Sequence, residues 1–363
     1  MSTASTLQLL TSAQARFDAA RELSALQAIL GHGFVVQVAA ALPEGWGPWR
    51  GAQVPALQQR LQAVVEPLNQ PGLLNRWLKE PDDAALAQWV ADRLDLPVPA
   101  RVSLRRHARQ GLDRLPMADG SVQQQSWRRY RFESAHRLPH VPPGHKCGRM
   151  HGHGFEALVR AVNTPPEALD AAWAPLHHQL HRACLNHIPG LDNPTSERLA
   201  SWLWSQLQPA LPGLCGVTVY ETASCGAHVD GGLHRIWKDF SFDSATRLRH
   251  APAGDAWTGL HGHTYTLRLH LRAALDERLG WAVDFGDVKQ AFRPVFDAID
   301  HRSLDDLAGL ADGDCGSLAR WIHEQAQPLL PALYRVDLYE TPGNGCLLVP
   351  PGDEQPWLPV SEA

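Results

Sequence analysis

The chain has 363 residues, 44% hydrophobic and 20% charged, with a formal net charge of −5. That length accommodates two or three domains, and the negative balance leaves no electrostatic footprint for nucleic acid as a direct partner. No apolar run is long enough to span a membrane, the start "MSTASTLQLL" lacks a basic region with an apolar core, and the six cysteines form no CxxC pair; the expectation is a cytoplasmic protein without a disulfide framework or a cysteine-rich zinc module.

In chain order, "ARFDAARELS" (15–24) reads as a strand, followed by a glycine–histidine turn in "ILGHGF" (29–34). Leu86, Trp89, Val90 and Leu94 then lie on one helical stripe, and "RVSLRRH" (101–107) is a short β segment. After the polar, turn-rich "LPMADGSVQQQS" (115–126) the order begins again. In "YRFESAHRLP" (130–139), Tyr130, Phe132, Ser134 and His136 share one face at period two. "HKCGRMHGHGF" (145–155) supplies the turn and second strand. Asn193 and Pro194 read as an N-cap and first helical residue, ahead of a Leu199, Trp202, Leu203, Leu207 stripe, and "GVTVYET" (216–222) closes the unit. Past "HVDGG" (228–232) come "FSFDSATRLR" (240–249), "TGLHGHTY" (258–265) and "HTYTLRLHLR", in which Tyr265, Leu267, Leu269 and Leu271 oppose Thr266, Arg268, His270 and Arg272. A Leu318, Trp321, Ile322 stripe and "RVDLYET" (335–341) end the series. The same order of strand, strand, helices, strand therefore occurs three times at a period of roughly 120 residues. We read an α+β chain built as an internal triplication, with units 1–120, 126–230 and 232–350.

The middle unit carries chemistry. His151 and His153 are two apart at the start of a strand, so both rings leave one face, and His136 sits on the partner strand of the hairpin. Three neutral imidazoles converging in this way suit a zinc ion (Zn2+) with an open fourth position. Cys147, on the loop just before, is a base or nucleophile if a nearby metal lowers its pKa, or else a fourth ligand or a small core residue.

"RFESAHRLPHVPPGHKCGRMHGHGF", with "LNHIPGLDNPTSERLASWLW" and "VYET", resembles the 6-pyruvoyltetrahydropterin synthase family of the tunnelling fold. The short gap in "CGRMHGH" resembles its branch that forms 6-carboxy-5,6,7,8-tetrahydropterin. The likeness is strong over about 126–228, broken over 232–348 and faint over 15–107. It implies three tandem tunnelling-fold units closing a pseudo-trimeric antiparallel β barrel with helices outside. It implies zinc on His136, His151 and His153, a catalytic Cys147, and a pterin-anchoring Glu221. The implied reaction converts 7,8-dihydroneopterin triphosphate to the 6-carboxy product, acetaldehyde and triphosphate, on the route to queuosine. The alternatives are a 6-pyruvoyl-forming lyase and a non-catalytic pterin-binding scaffold. Arg137, Lys146 and Arg149 are candidates to meet the triphosphate or, equally, solvated surface residues.

The family's catalytic Asp-His pair falls on His181 and Arg182 in the middle unit, and His187 matches a non-catalytic position. The last unit keeps the pair as Asp300 and His301, within "VDFGDVK" and "IDHRSL", and keeps Glu340 in "ET". It has Thr246 for the first zinc histidine and Trp257 for the cysteine, leaving His261 and His263. The first unit has Arg21, Leu26, Leu30 and Arg106 at the matching positions, and only His32 remains. Since the family builds its sites between subunits, the resemblance implies one composite site per chain, with the middle unit's zinc and Cys147 facing Asp300 and His301. Glu221 is preferred over Glu340 as the pterin anchor. The substrate is a small pterin triphosphate, and the family's paired trimers suggest a homodimer.

Overall fold

The computed structural model describes residues 7–232 and 234–351. Strands β1 (Gln8–Leu23), β2 (Ala28–Ala40), β3 (Arg101–His107) and β4 (Gln110–Pro116) come first, with helices α1 (Gln53–Val65) and α2 (Asp83–Leu94) between the second and third. Next are β5 (Val122–His136), β6 (His151–Val162), α3 (Pro166–Leu180), the two-residue β7 (Ala183–Cys184), α4 (Ser196–Leu207), β8 (Leu214–Thr222) and β9 (Cys225–Val229). The series ends with β10 (Arg235–Thr246), β11 (His261–Arg272), α5 (Phe285–Ile299), the two-residue β12 (Arg302–Ser303), α6 (Cys315–Ala326), β13 (Leu333–Thr341) and β14 (Asn344–Val349).

The long strands pair antiparallel in the order β1-β2-β3-β4-β5-β6-β8-β9-β10, then β11-β13-β14 and back to β1. The ring therefore closes as a twelve-stranded barrel, which leaves no unpaired edge among the described long strands. Each third of the chain supplies four strands and two helices. The sequence reading finds three strands per unit and misses the fourth (β4, β9, β14); the ends of β4 and β9 run into the polar stretches 115–126 and 228–232 that it reads as joins. "LPMADGSVQQQS" is strand at both ends, since β4 runs to Pro116 and β5 starts at Val122.

Outward-facing residues of each hairpin pack under that segment's helices. Phe132, Phe155, Val217 and Val219 join Leu176, Leu199 and Leu203. Tyr265, Leu267 and Leu269 join Phe292, Leu318 and Ile322. Val36, Val38 and Val102 join Leu61, Leu86 and Val90. The opposite, polar face turns into the barrel rather than to water. There Arg268 pairs with Asp239 at 2.6 Å, His270 lies 3.0 Å from Asp337, and Arg160 pairs with Asp113. Trp127 and Trp237 are also buried inward. Gly226 lets Trp237 in, because a Cβ there would stand 2.6 Å from the indole.

One helix start is corrected. α4 begins at Ser196, and its N-cap is Thr195, whose side chain accepts from the Arg198 N–H. Asn193 is pulled away from capping by a tertiary partner: its Nδ2 donates to the Leu279 carbonyl at 2.7 Å.

Candidate active site

The register of β5 and β6 sets His136 opposite His151 and Ser134 opposite His153. The three imidazoles thus leave the outward face at the open end of one hairpin, and their ligating atoms lie within 4.8 Å of one another. His136 Nδ1 is 3.0 Å from the Pro194 carbonyl and His151 Nδ1 is 2.8 Å from the Arg149 carbonyl. A carbonyl only accepts, so both Nδ1 atoms carry the proton and both Nε2 atoms keep a lone pair. Nε2 of His136 and of His153 is buried without a hydrogen-bond partner. Burial is the main cause lowering the pKa of both rings, which keeps them neutral. Neutral nitrogen donors with orphaned, converging lone pairs fit a zinc ion, and the set has room for an exchangeable fourth ligand.

Cys147 lies half-buried on a 3-10 turn, Lys146–Gly148. Burial, then the Glu221 charge, pushes its thiol up, with Lys146 acting the other way. Glu221 ends the outward row of β8 behind Val217 and Val219. Its Oε1 is 3.4 Å from His153 Nε2, and its Oε2 accepts from the Ser196 hydroxyl at 2.5 Å. The next residue, Glu197, is 2% exposed. Its Oε1 accepts from the Ala282 N–H at 2.9 Å, and burial, the largest cause, pushes its pKa up to about 7.

The stretch before α5 forms the other wall. Thr195 donates to the Gly280 carbonyl at 2.6 Å. Gly280 has φ +76, and a Cβ there would stand 2.8 Å from Asn193 Nδ2, so this close approach needs glycine. The Trp281 ring lies 5.8 Å from that of His145, and Asp284 Oδ2 is 3.4 Å from His145 Nε2. A seam between the second and third segments therefore borders the histidine cluster, Cys147 and Glu221.

Asp300 and His301 are elsewhere. α5 is 15 residues long, about 22 Å at 1.5 Å per residue. Its N-cap, Asp284, meets His145; its C-cap, Asp300, is at the far end. There Asp300 Oδ1 accepts from the Asp243 N–H at 3.1 Å and lies 3.0 Å from His301 Nδ1. The His301 side chain is 76% exposed, in a shallow cleft lined also by Leu260, His261 and His263. So the structure gathers His136, His151, His153, Cys147 and Glu221, and sets Asp300 and His301 apart from them with Asp243. The expected meeting of Cys147 with this pair across the seam is not what the fold builds; Asp284 holds that place.

The other two segments carry different side chains at the corresponding places. Thr246 donates to the Gly313 carbonyl and Arg21 to the Pro81 carbonyl, as His136 does to Pro194. In the first segment Asp83 bridges Arg21 at 2.8 Å and Arg106 at 3.1 Å, so guanidinium groups stand where the second segment has His136 and Glu221. In the third segment, burial and then Asp314 push Glu340 up to about 8. Arg182 adopts the left-handed backbone of His301, and both N–H groups donate to the first strand of their hairpin. Arg137, Lys146 and Arg149 are exposed. Sequence reasoning passed over His145, Ser196, Glu197 and Asp284. Each stood within a quoted motif, but nothing local marks His145 and Asp284 or Glu197 and Ala282 as partners, far apart as they are in the chain, and Ser196 meets Glu221 only through the packing of α4 on β8.

The family described as 6-pyruvoyl tetrahydropterin synthase matches the chain twice, over 125–232 and 235–350. A 6-carboxy-5,6,7,8-tetrahydropterin synthase from Synechocystis is 37% identical over 116 residues, which are 28% of this chain and 88% of that protein. A dihydroneopterin monophosphate aldolase from Pyrococcus furiosus is 31% identical over 109 residues, 29% of this chain and 89% of that one. Among solved structures, the 6-pyruvoyl tetrahydropterin synthase of Caenorhabditis elegans is 26% identical, covering 31% of this chain and 92% of its own at a TM-score of 0.29.

Proposed function

The chain belongs to the 6-pyruvoyl tetrahydropterin synthase family, and from that premise we propose that it is a zinc-dependent 6-carboxy-5,6,7,8-tetrahydropterin synthase acting on 7,8-dihydroneopterin triphosphate. The observation that carries the reading is the convergence of His136, His151 and His153 beside Cys147 and Glu221. Zinc held by the three Nε2 atoms would supply Lewis acidity to side-chain hydroxyls of the substrate. Glu221 accepts from the amino group and ring N–H of the pterin, a pair of parallel donors that a carboxylate matches, while Ser196 holds it in place. Cys147 moves the proton at the side-chain carbon. Side-chain cleavage yields acetaldehyde and releases triphosphate.

The three segments are copies of one unit, of which only the second has a complete metal and thiol set. Support comes from the four-strand, two-helix pattern and from the carbonyl contact made in turn by Arg21, His136 and Thr246. Asp300 and His301 act in a homodimer. Ile29, Met150 and Leu260, each just before the glycine–histidine turn of its segment, are 64%, 54% and 60% exposed at the hairpin ends. Leu260 shares its cleft with His301. Packing these ends together buries the apolar ring and presents the exposed dyad of one chain to Cys147 of the other.

The test is turnover by the purified protein on 7,8-dihydroneopterin triphosphate, with products identified by mass spectrometry and zinc counted per chain. The 6-carboxy product with acetaldehyde and one zinc is expected. A 6-pyruvoyl product moves the chain to the other branch, and a zinc-loaded chain without turnover overturns the reading.

A further inference from the structure

We propose that Asp284 and His145 form a latch by which the third segment positions Cys147. The inference rests on Cys147 being the reactive thiol of the function proposed above.

The Lys146–Gly148 turn needs an acceptor for the Cys147 N–H, and His145 Nδ1 supplies it at 3.2 Å. In the third segment the same turn, Ala256–Thr258, is closed more simply: Asp255 Oδ1 accepts from the Trp257 N–H at 3.0 Å. A carboxylate is thus enough to make the turn. What histidine adds is a second nitrogen on the far side of the ring. With Nδ1 accepting, a neutral imidazole carries its proton on Nε2, and Nε2 faces Asp284 Oδ2 at 3.4 Å.

Asp284 is itself immobilised. Its Oδ1 accepts from the Gly286 N–H at 2.6 Å and the Asp287 N–H at 3.3 Å, so the carboxylate is tied to the start of α5. Trp281 flanks the imidazole. A continuous polar chain therefore runs from α5 of the third segment, through Asp284 and His145, to the backbone of the residue bearing the thiol. A carboxylate–imidazole pair oriented in this way fixes both tautomer and ring plane. Since α5 ends at Asp300, one helix carries the latch at one end and the dyad at the other. His145 and Asp284 are positioning residues here, acting through Cys147.

Two isosteric changes separate this role from simple capping. His145→Asn keeps an acceptor for the Cys147 N–H but cannot reach Asp284. Asp284→Asn keeps the helix cap, asparagine being as good as aspartate there, but turns an amide toward the imidazole N–H. Each is expected to lower kcat roughly 10- to 100-fold, the cost of a misplaced reacting group, with KM and melting temperature near wild type. The double variant is expected to be no worse than the weaker single, because one contact is lost in all three. A second readout needs no substrate: iodoacetamide alkylation at Cys147, followed on its own peptide, should quicken roughly 3- to 10-fold in both variants as the turn that carries the thiol loosens, with Cys184 and Cys215 unchanged. Wild-type alkylation and turnover in His145→Asn would overturn the latch and leave only a turn cap. Should the wild-type protein process no pterin, the alkylation arm still decides the latch while the functional reading fails.

Discussion

His136 Nδ1 lies 3.0 Å from the carbonyl of Pro194, the residue just before the cap of α4. The contact chooses the tautomer, so Nε2 is left as a ligand beside His151 and His153.

Replacing His136 by alanine should therefore remove the metal. Loss of a neighbouring orienting group typically weakens a metal site about 10- to 100-fold, and loss of a ligand should exceed that. Zinc per chain, measured by plasma mass spectrometry after dialysis, should fall from one to near zero. The orphaned Pro194 carbonyl adds a penalty of about 1–3 kcal/mol to stability. Chelation of the unaltered protein should lower its melting temperature in proportion to zinc affinity.

Glu197 predicts a pH dependence of stability. Its ordinary pKa of 4.5 is pushed up to about 7, chiefly by burial. A carboxyl whose pKa is higher folded than unfolded favours the fold fully below pH 4.5 and loses that contribution as pH rises toward 7. At about 1.4 kcal/mol per pH unit the window amounts to on the order of 3–4 kcal/mol. Glu197→Gln keeps the acceptor for Ala282, so it should match wild type near pH 4 and surpass it near pH 8 in urea titrations. Equal stability at both pH values would show that Glu197 titrates normally.

The first segment should be structural. Asp83→Ala leaves Arg21, whose side chain is 2% exposed, facing Arg106 without a counter-charge. Breaking such a buried pair costs about 3–5 kcal/mol, visible as a lower denaturant midpoint. Zinc content and kcat of the protein that remains folded should be unchanged.

Mixing separates an intermolecular dyad from an idle one. Cys147→Ala and His301→Ala chains, each inactive alone, should regain about a quarter of wild-type turnover after exchange, since random pairing makes half the dimers mixed and each mixed dimer restores one site. Met150→Asp with Leu260→Asp should give a single chain by light scattering and abolish the rescue. No recovery after verified exchange would remove Asp300 and His301 from the mechanism.

Much of the local structure was readable. Period-two alternation in β11 separated Tyr265, Leu267 and Leu269 from Arg268 and His270, and the Leu–Trp–Leu stripes located α2, α4 and α6, because backbone geometry alone sets which side chains share a face. His136, His151 and His153 could be grouped for the same reason: a hairpin register is a short-range matter. The fourth strands were missed because "QGLDRLP" and "CGAHV" show little alternation and pair inside a closed ring, where both faces are covered.

The amino-acid sequence by itself determined the hairpin that assembles three imidazoles and the place of Cys147 beside them, since both arise from spacings within some twenty residues. Only the tertiary structure decided which residue of the third segment meets that site. α5 is rigid, so its two ends cannot both reach one thiol, and barrel closure turns the Asp284 end toward His145 while Asp300 and His301 are carried to the exposed rim.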